Sequence, residues 1–242
     1  MDLTALHAAA ERSAWPKFAR RVVELARPSL VLAVGEGMPI GWYGGLPALP
    51  PREDWPAVPG GALTLAARID CAAVAELLPR EAWPLPGDGE LLFFYDDRFA
   101  DVVYEDVGGH AACRVLHVAG GAAEREAPLD TAVIPALPLG GVAAPSLPDV
   151  FGPALREYSD TDLGRAMEGY EVFTDVLGEP PRHRLLGWPD HDADPPGRRP
   201  LLQLDAEDGT AWGEIANLSF FVPAEDLAAA RLDRAGLIVE VG

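Results

Sequence analysis

Two aspartates, Asp70 and Asp205, each close an apolar run that is typical of a strand, which makes them the polar residues best placed for chemistry. A carboxylate at a strand end either accepts hydrogen bonds from the backbone N–H groups of the following turn or contributes to a site at the edge of the sheet. Capping of the turn is the more common role, and the sequence favours it. The alternative is a ligand site that both carboxylates share.

Four further residues are candidates for that shared site. They are a histidine, a glutamine and two tryptophans near the ends of apolar runs: Trp42, His183, Trp188 and Gln203. Small-molecule and peptide sites combine apolar surface with a few directed hydrogen bonds, and these residue types supply both. The hypothesis is therefore a groove between two β-rich halves that binds a small ligand or a peptide, using the four residues together with Asp70 and Asp205.

A cluster of acidic residues in one short segment is the only candidate for a metal site. It consists of Asp190, His191, Asp192 and Asp194. Hard cations prefer several carboxylates within one loop, but the segment has neither the glycine nor the closing glutamate of an EF-hand. Two prolines follow it directly and predict a stiff, solvated turn. We therefore expect neither a metal site nor a cofactor.

Nucleophilic catalysis has little support in the sequence. No serine lies in a G-x-S-x-G motif, and Cys71 and Cys113 are not part of a C-x-x-C pair or a nucleophile signature. The single lysine, Lys17, falls on the surface of a predicted helix, which excludes a P-loop or a Ser-x-x-Lys site. No catalytic residue is assigned, and two well-separated cysteines fit a reducing cytoplasm.

The net charge of −19, from 19 basic and 38 acidic residues, opposes binding to nucleic acid and to anionic membranes. No apolar stretch approaches the length of about 18 residues that a membrane span needs, and no signal-peptide pattern is present. The sequence predicts an acidic cytoplasmic protein that binds neither nucleic acid nor membrane. Arginine in place of lysine, with abundant alanine, glycine and proline, is typical of a high-GC bacterial source.

Strands must position most of these residues. Residues 1–28 form an N-terminal helical segment in which Trp15, Phe18, Val22 and Leu25 make one apolar stripe. A second helix is predicted over residues 160–177, with a capping box from Ser159 to Asp162. Its apolar stripe is expected to face the core and runs through Leu163, Met167, Tyr170, Phe173 and Leu177.

The region around the glycines after residue 34 is expected to be a proline-rich loop. Strands are predicted at residues 29–34, 63–69, 90–95, 112–118, 142–144, 201–204, 217–222 and 236–241.

The chain contains an internal repeat of these strands. In each copy a Gly-Pro turn leads to a strand that ends in aspartate and then to a strand with two adjacent phenylalanines. Adjacent side chains of a strand point to opposite faces, so a Phe-Phe strand is apolar on both faces and belongs inside its sheet. We expect one α+β domain over residues 1–242, strand-rich, with helices packed on the sheet faces. Its parts are repeat unit one at about 30–119, a connection at about 120–158 and repeat unit two at about 182–242.

The residues of this repeat resemble the YwqG-like family of bacterial proteins, a family defined by a domain of unknown function. The resemblance rests, in the family's order, on residues 44–50, 55–56, 69–70, 89–96, 183–189, 201–205, 212–213 and 218–221. It implies a mixed α/β fold with an internal duplication. It implies no reaction and no catalytic residue.

The functional expectation is a non-enzymatic module that binds a small molecule or another protein. It rests on the absence of a nucleophile, metal or cofactor signature from a duplicated, strand-rich scaffold. Two alternatives stay open. One is an enzyme of unrecognised type with its site between the two β-halves, and the other is an immunity-type protein that neutralises a basic toxin through its acidic surface.

Overall fold

The computed structural model describes residues 2–98, 112–178, 180–189, 197–210, 212 and 215–241. Within these residues the helices are α1 (Thr4–Arg12), α2 (Pro16–Glu24), α3 (Cys71–Leu77), α4 (Arg156–Leu177) and α5 (Ala224–Ala228). The strands are β1 (Arg27–Val34), β2 (Met38–Tyr43), β3 (Ala57–Val58), β4 (Gly61–Ala62), β5 (Thr64–Asp70), β6 (Glu90–Tyr95), β7 (Cys113–Val118), β8 (Leu137–Ser146), β9 (His183–Leu186), β10 (Arg198–Asp205), β11 (Ile215–Pro223) and β12 (Gly236–Val241).

Ten of the strands form a single antiparallel sheet in the order β12-β11-β10-β9-β1-β8-β2-β5-β6-β7. The sheet curls until it is nearly closed, because the edge strand β7 approaches the chain that leads into β12. The thiol of Cys113 lies 3.5 Å from the carbonyl oxygen of Ala235, and the rings of Phe93 and Phe220 meet inside the sheet with centroids 5.2 Å apart. The main hydrophobic core fills this interior. The expected strand-rich α+β domain is therefore confirmed.

The two Phe-Phe strands are apolar on both faces because both faces are covered. Phe93 lies in the interior core, whereas its neighbour Phe94 packs outside the sheet in a smaller cluster with Leu49, Leu63 and Leu92. Both strands, β6 and β11, have a neighbour on each side. The prediction that such strands lie inside their sheet is confirmed.

Two four-strand meanders flank the central pair formed by β1 and β8. One runs outward as β2-β5-β6-β7 and the other as β9-β10-β11-β12. β1 precedes the first meander in sequence but pairs with β9 of the second, and β8 precedes the second meander but pairs with β2 of the first. β8 belongs to residues 120–158, so this segment contributes the longest strand to the centre of the sheet as well as connecting the chain.

The N-terminal helical segment forms two helices, and Pro16 occupies the first turn of α2, where it loses no hydrogen bond. Phe18 and Val22 of the expected stripe are fully buried. The expectation that helices pack on the sheet faces is wrong for α1, α2 and α4, which pack on one another around a separate core. Only α3 and α5 contribute side chains to the core inside the sheet, through Cys71, Val74 and Leu227.

Helix α4 differs from its prediction in two respects. Asp162 has non-helical backbone angles, and its carboxylate accepts from the N–H of Arg165 at 3.1 Å, so Asp162 caps the regular part of the helix. Ser159 does not form the expected capping box, because its hydroxyl donates to the carbonyl of Val150. The predicted stripe is only partly core: Phe173 is buried, whereas three of its members, Leu163, Met167 and Leu177, are exposed.

The proline-rich loop expected after residue 34 is also corrected. Residues 38–43 form β2, which pairs with both β8 and β5. The register shifts between Pro39 and Gly41, and such an irregularity accommodates a proline that cannot donate a hydrogen bond. Gly41 is required there because a Cβ atom would lie 2.1 Å from the carbonyl oxygen of Arg68.

Candidate functional site

Asp70 acts as a helix cap. Its carboxylate accepts hydrogen bonds from the backbone N–H groups of Ala72 at 2.8 Å and Ala73 at 3.1 Å, at the start of α3. This is the role that the sequence favoured for a carboxylate that ends a strand. The side chain is exposed to solvent, and the hydrogen bonds that it accepts come from the first turn of α3.

Asp205, at the end of β10, has a different role from Asp70. Its carboxylate accepts a hydrogen bond from the amide of Asn217 at 2.6 Å, and its carbonyl oxygen accepts from the Tyr43 hydroxyl at 3.2 Å. Tyr43 lies on β2 and Asp205 on β10, so this contact joins the two meanders. Asp205 therefore forms a polar cluster with Tyr43 and Asn217, whereas Asp70 caps the start of α3.

His183 is the centre of that polar cluster. It is almost completely buried at the start of β9, and its two ring nitrogens both have partners. Nδ1 faces the backbone N–H of Asp205 at 3.1 Å, and Nε2 lies 2.8 Å from the carboxylate of Glu207. Because a backbone N–H can only donate, Nδ1 must be the acceptor and Nε2 must carry the proton that is donated to Glu207.

Burial lowers the pKa of His183, and the hydrogen bond to Glu207 only partly opposes that effect. The ring is thus neutral, with both nitrogens occupied. A general base needs a free nitrogen within reach of a substrate proton. In this arrangement His183 orients the chain between β9 and β10 and has no lone pair to offer a substrate.

Aromatic rings close the cluster on its inner side. Tyr43 lies against Trp212, with ring centroids 5.3 Å apart, and Tyr95 approaches the same Trp212 at 6.0 Å. Burial raises the pKa of both tyrosine hydroxyls well above the ordinary value. Both hydroxyls therefore stay protonated and cannot act as bases at neutral pH, and the Tyr43 hydroxyl is the donor to Asp205 described above.

A row of buried polar side chains crosses the other face of the sheet from β9 to β11. Gln203 is paired in register with Arg184 on one side and Ser219 on the other. Ser219 donates to the amide oxygen of Asn217 at 2.7 Å, which continues the row to Asp205. Buried polar groups that satisfy one another rigidify a sheet and fix its register. Gln203 therefore lies within this buried row of the sheet, beside Arg184 and Ser219.

The two candidate tryptophans have different environments. Trp188 is 6% exposed: its indole N–H donates to the carbonyl of Leu25 at 2.8 Å, and the guanidinium of Arg27 lies 3.1 Å from its ring centre. Trp42 is 39% exposed on β2, with Arg68 5.6 Å from its ring centre. Trp188 therefore links the turn after β9 to the end of α2, whereas the ring of Trp42 is partly exposed and lies near Arg68.

The weak metal candidates, Asp190, His191, Asp192 and Asp194, lie outside the described residues. Within the residues that the structure describes, no group of three or more histidine, cysteine, aspartate or glutamate side chains is arranged to hold a metal ion. Both cysteines are free and buried. Burial raises the pKa of the Cys71 and Cys113 thiols to about 12, so neither is a thiolate at neutral pH.

A cleft opens elsewhere, between the segment after α3 and helix α5. It has a volume of about 260 Å³, and most of its lining is apolar. The wall contains Pro28, Ala82, Pro84, Leu186, Ala224, Leu227 and Ala228, with Glu81 and Arg199 as its two charged residues. The segment after α3 follows the first meander's β5, and α5 follows the second meander's β11, so the cleft lies where the two halves meet.

None of the six residues expected at a ligand site lines this cleft. His183 and Asp205 are brought together, Gln203 is in the adjacent row, and Asp70, Trp42 and Trp188 have other contacts. Sequence reasoning missed Tyr43, Glu207 and the cleft residues. Glu207 carried a usable signal, because it is two positions from Asp205, but small residues such as Ala82 and Ala224 carry none.

No helix in the described part of the chain combines the length and the apolar character that crossing a membrane requires. The model of a family described as "Domain of unknown function (DUF1963)" matches residues 42–240. The match includes the aromatic cluster, all of the cleft wall except Pro28, and both meanders except the first four residues of β2 and the last residue of β12. None of the curated proteins compared with the chain matches it.

Proposed function

The chain belongs to the DUF1963 family, whose description gives no activity, and we propose from its geometry that it is a cytoplasmic binding protein that takes up a small, largely apolar ligand. The ligand site is the cleft between the segment after α3 and helix α5. The observation that carries the proposal is a concave surface of about 260 Å³ with seven apolar residues in its wall. Sites for small molecules are typically concave and mostly apolar, with few polar groups.

The chemistry of the described polar groups supports binding rather than catalysis. His183 uses both nitrogens within the sheet, and Cys71 and Cys113 are buried thiols of raised pKa. The two charges of the cleft, Glu81 and Arg199, orient a ligand that carries a polar group at one end. A reducing cytoplasm agrees with the two free cysteines.

We further propose that the two meanders are duplicated units, as the YwqG-like resemblance implies. Each unit consists of a first strand followed by a four-strand meander, and the strands that end in Asp70 and Asp205 are the second strands of their meanders. On this view the cleft lies between equivalent parts of two copies. Such a junction is free to acquire a ligand site because the copies no longer need to be identical.

A thermal-shift experiment tests the site. The purified protein is screened against short fatty acids, indoles, aromatic acids and amino acids, since a ligand that binds the folded state raises the unfolding midpoint. The variant Ala82→Trp fills the cleft, and Ala123→Trp places the same ring on an exposed segment as the matched control. The proposal requires a ligand whose shift persists in Ala123→Trp and disappears in Ala82→Trp. Equal shifts in both variants, or no shift from any compound, would contradict it.

A further inference from the structure

Helix α4 carries an exposed apolar stripe that no described residue covers. Leu163, Met167 and Leu177 are 42%, 45% and 39% exposed. Tyr170, between Met167 and Leu177 in sequence, is half-buried and packs against the helical core, so it is not part of the exposed stripe. Positions separated by three, four or seven residues lie on one side of a helix, so these three exposed residues lie along the same side of α4. Their first and last members are about 21 Å apart along the axis.

The stripe is distinct from the buried face of the same helix. Ala166, Gly169 and Phe173 face α1 and α2, where a Cβ on Gly169 would lie 3.1 Å from the ring of Phe18 and 3.2 Å from Trp15. That face already satisfies the packing needs of α4. An amphipathic helix needs one apolar face to fold, so a second one has no role within the helical core.

Carboxylates border the stripe on the side away from the helical core. Glu168, Glu171 and Asp175 follow one another at spacings of three and four, and all three are exposed. Among the described residues, none of the three forms an ion pair. An apolar line next to a line of unpaired carboxylates complements a helix that carries leucine-like residues beside lysine or arginine.

We propose that α4 docks a basic amphipathic helix of a partner protein along Leu163, Met167 and Leu177, with Glu168, Glu171 and Asp175 pairing with the partner's basic residues. The negative charge of this surface favours a basic partner helix over a second copy of the chain. Two α4 helices packed through the same stripe would bring like charges together, within a protein of net charge −19. This surface is separate from the cleft proposed for the small ligand.

The test uses a fluorescein-labelled peptide of leucine and lysine in helical spacing and the full-length protein. Fluorescence anisotropy gives Kd for the peptide, and a peptide with glutamate in place of lysine serves as the charge control. We expect the lysine peptide to bind and the glutamate peptide not to bind. Binding by the lysine peptide should weaken as salt is added, because exposed ion pairs are screened.

Two pairs of variants locate the binding. Leu163→Ala with Met167→Ala should raise Kd on the order of tenfold, whereas Leu129→Ala with Val133→Ala, which removes exposed apolar side chains elsewhere, should not change it. Glu168→Lys with Glu171→Lys should raise Kd by a similar factor. The matched charge control is Glu36→Lys with Glu126→Lys, which changes the net charge equally at other exposed positions.

Three results would overturn the proposal. The first is equal peptide affinity in the Leu163→Ala, Met167→Ala variant and its control. The second is equal loss of affinity in both charge-reversed variants, which would assign binding to net charge alone. The third is a wild-type dimer in sedimentation equilibrium that becomes monomeric in the Leu163→Ala, Met167→Ala variant. Met167→Gln, an isolated exposed change, repeats the measurement should the double variant not fold.

Discussion

The Nδ1 atom of His183 accepts a hydrogen bond from the backbone N–H of Asp205 at 3.1 Å, which fixes the position of the imidazole ring between two strands. The opposite nitrogen is held by Glu207 at 2.8 Å. A histidine beside two acidic residues is a common arrangement for an acid–base catalyst. Here the hydrogen bonds account for both nitrogens, so the contact explains the stability of the sheet and leaves no free nitrogen for catalysis.

The protonation of His183 should make stability depend on pH. Its pKa is lowered in the folded protein by burial, so the unfolded chain takes up a proton at about pH 6.5 while the folded protein does not. The contribution of His183 is therefore present above about pH 6.5 and is lost as pH falls below it. We expect His183→Gln to reduce the melting temperature more at about pH 8 than at about pH 5.5. An equal reduction at both pH values, measured by calorimetry, would contradict the lowered pKa of His183.

Replacing Asp70 and replacing Asp205 should lower the free energy of unfolding by different amounts. Asp70→Ala removes a helix cap and should cost about 1 kcal/mol, and Asp70→Ser should recover most of the loss. Asp205→Ala leaves the buried amide of Asn217 without its 2.6 Å acceptor and should cost about 1–3 kcal/mol. Urea denaturation measures both losses. If Asp70→Ala left stability unchanged and abolished ligand binding instead, Asp70 would be a site residue rather than a cap.

Two glycines of helix α4 offer a matched pair of alanine substitutions. At Gly164 the nearest atom to an added Cβ is 3.8 Å away, so Gly164→Ala should stabilise the protein by about 0.5–1 kcal/mol through helix propensity. At Gly169 the added methyl group would press on Phe18, Trp15 and Ser13 at 3.1–3.3 Å. Gly169→Ala should therefore lose that gain or be destabilising. Equal thermal shifts in the two variants would show that α4 does not pack on α1 and α2 as described.

The cysteines should be unreactive in the folded protein. Burial raises the pKa of both Cys71 and Cys113 to about 12, and the thiolate is the reactive form. We expect neither thiol to react with a disulfide reagent at neutral pH within the time in which a small free thiol reacts completely. Both should react at once in guanidinium chloride. Rapid labelling of one cysteine in native conditions would instead identify a local opening of the chain around it.

Local patterns predicted the strands that are bounded by clear turns. The bounds predicted for β6 and β12 match the structure, because each is an apolar run between glycine or aspartate turns. β2 was missed because Pro39 and Gly41 lower strand propensity, and only its pairing with β5 and β8 compensates. The stripe of α4 was assigned to the core because periodicity shows that a helix has an apolar face without showing which partner covers it.

The candidate site was less predictable than the fold because its members come from distant parts of the chain. Tyr43 meets Asp205 only because the sheet curls until β2 and β10 face each other across the interior. The role of Asp70 was correctly weighed as a cap, since a cap depends on neighbouring residues alone. The cleft depends on small apolar residues from separate segments, and such residues have no chemical signature of their own.

The central position of β1 in the sheet has a consequence for synthesis of the chain. β1 is complete early, yet its two neighbours are β8 (Leu137–Ser146) and β9 (His183–Leu186), so its backbone has no sheet partner until most of the polypeptide exists. Contacts between residues so far apart in sequence make folding slow. The strands β1, β8, β2, β5, β6 and β7 are nevertheless neighbours in the sheet and all lie before residue 147, so this block can pair before the second meander is synthesised. Until β9 is made, the other edge of β1 has no strand beside it, and an unfinished chain exposes that edge.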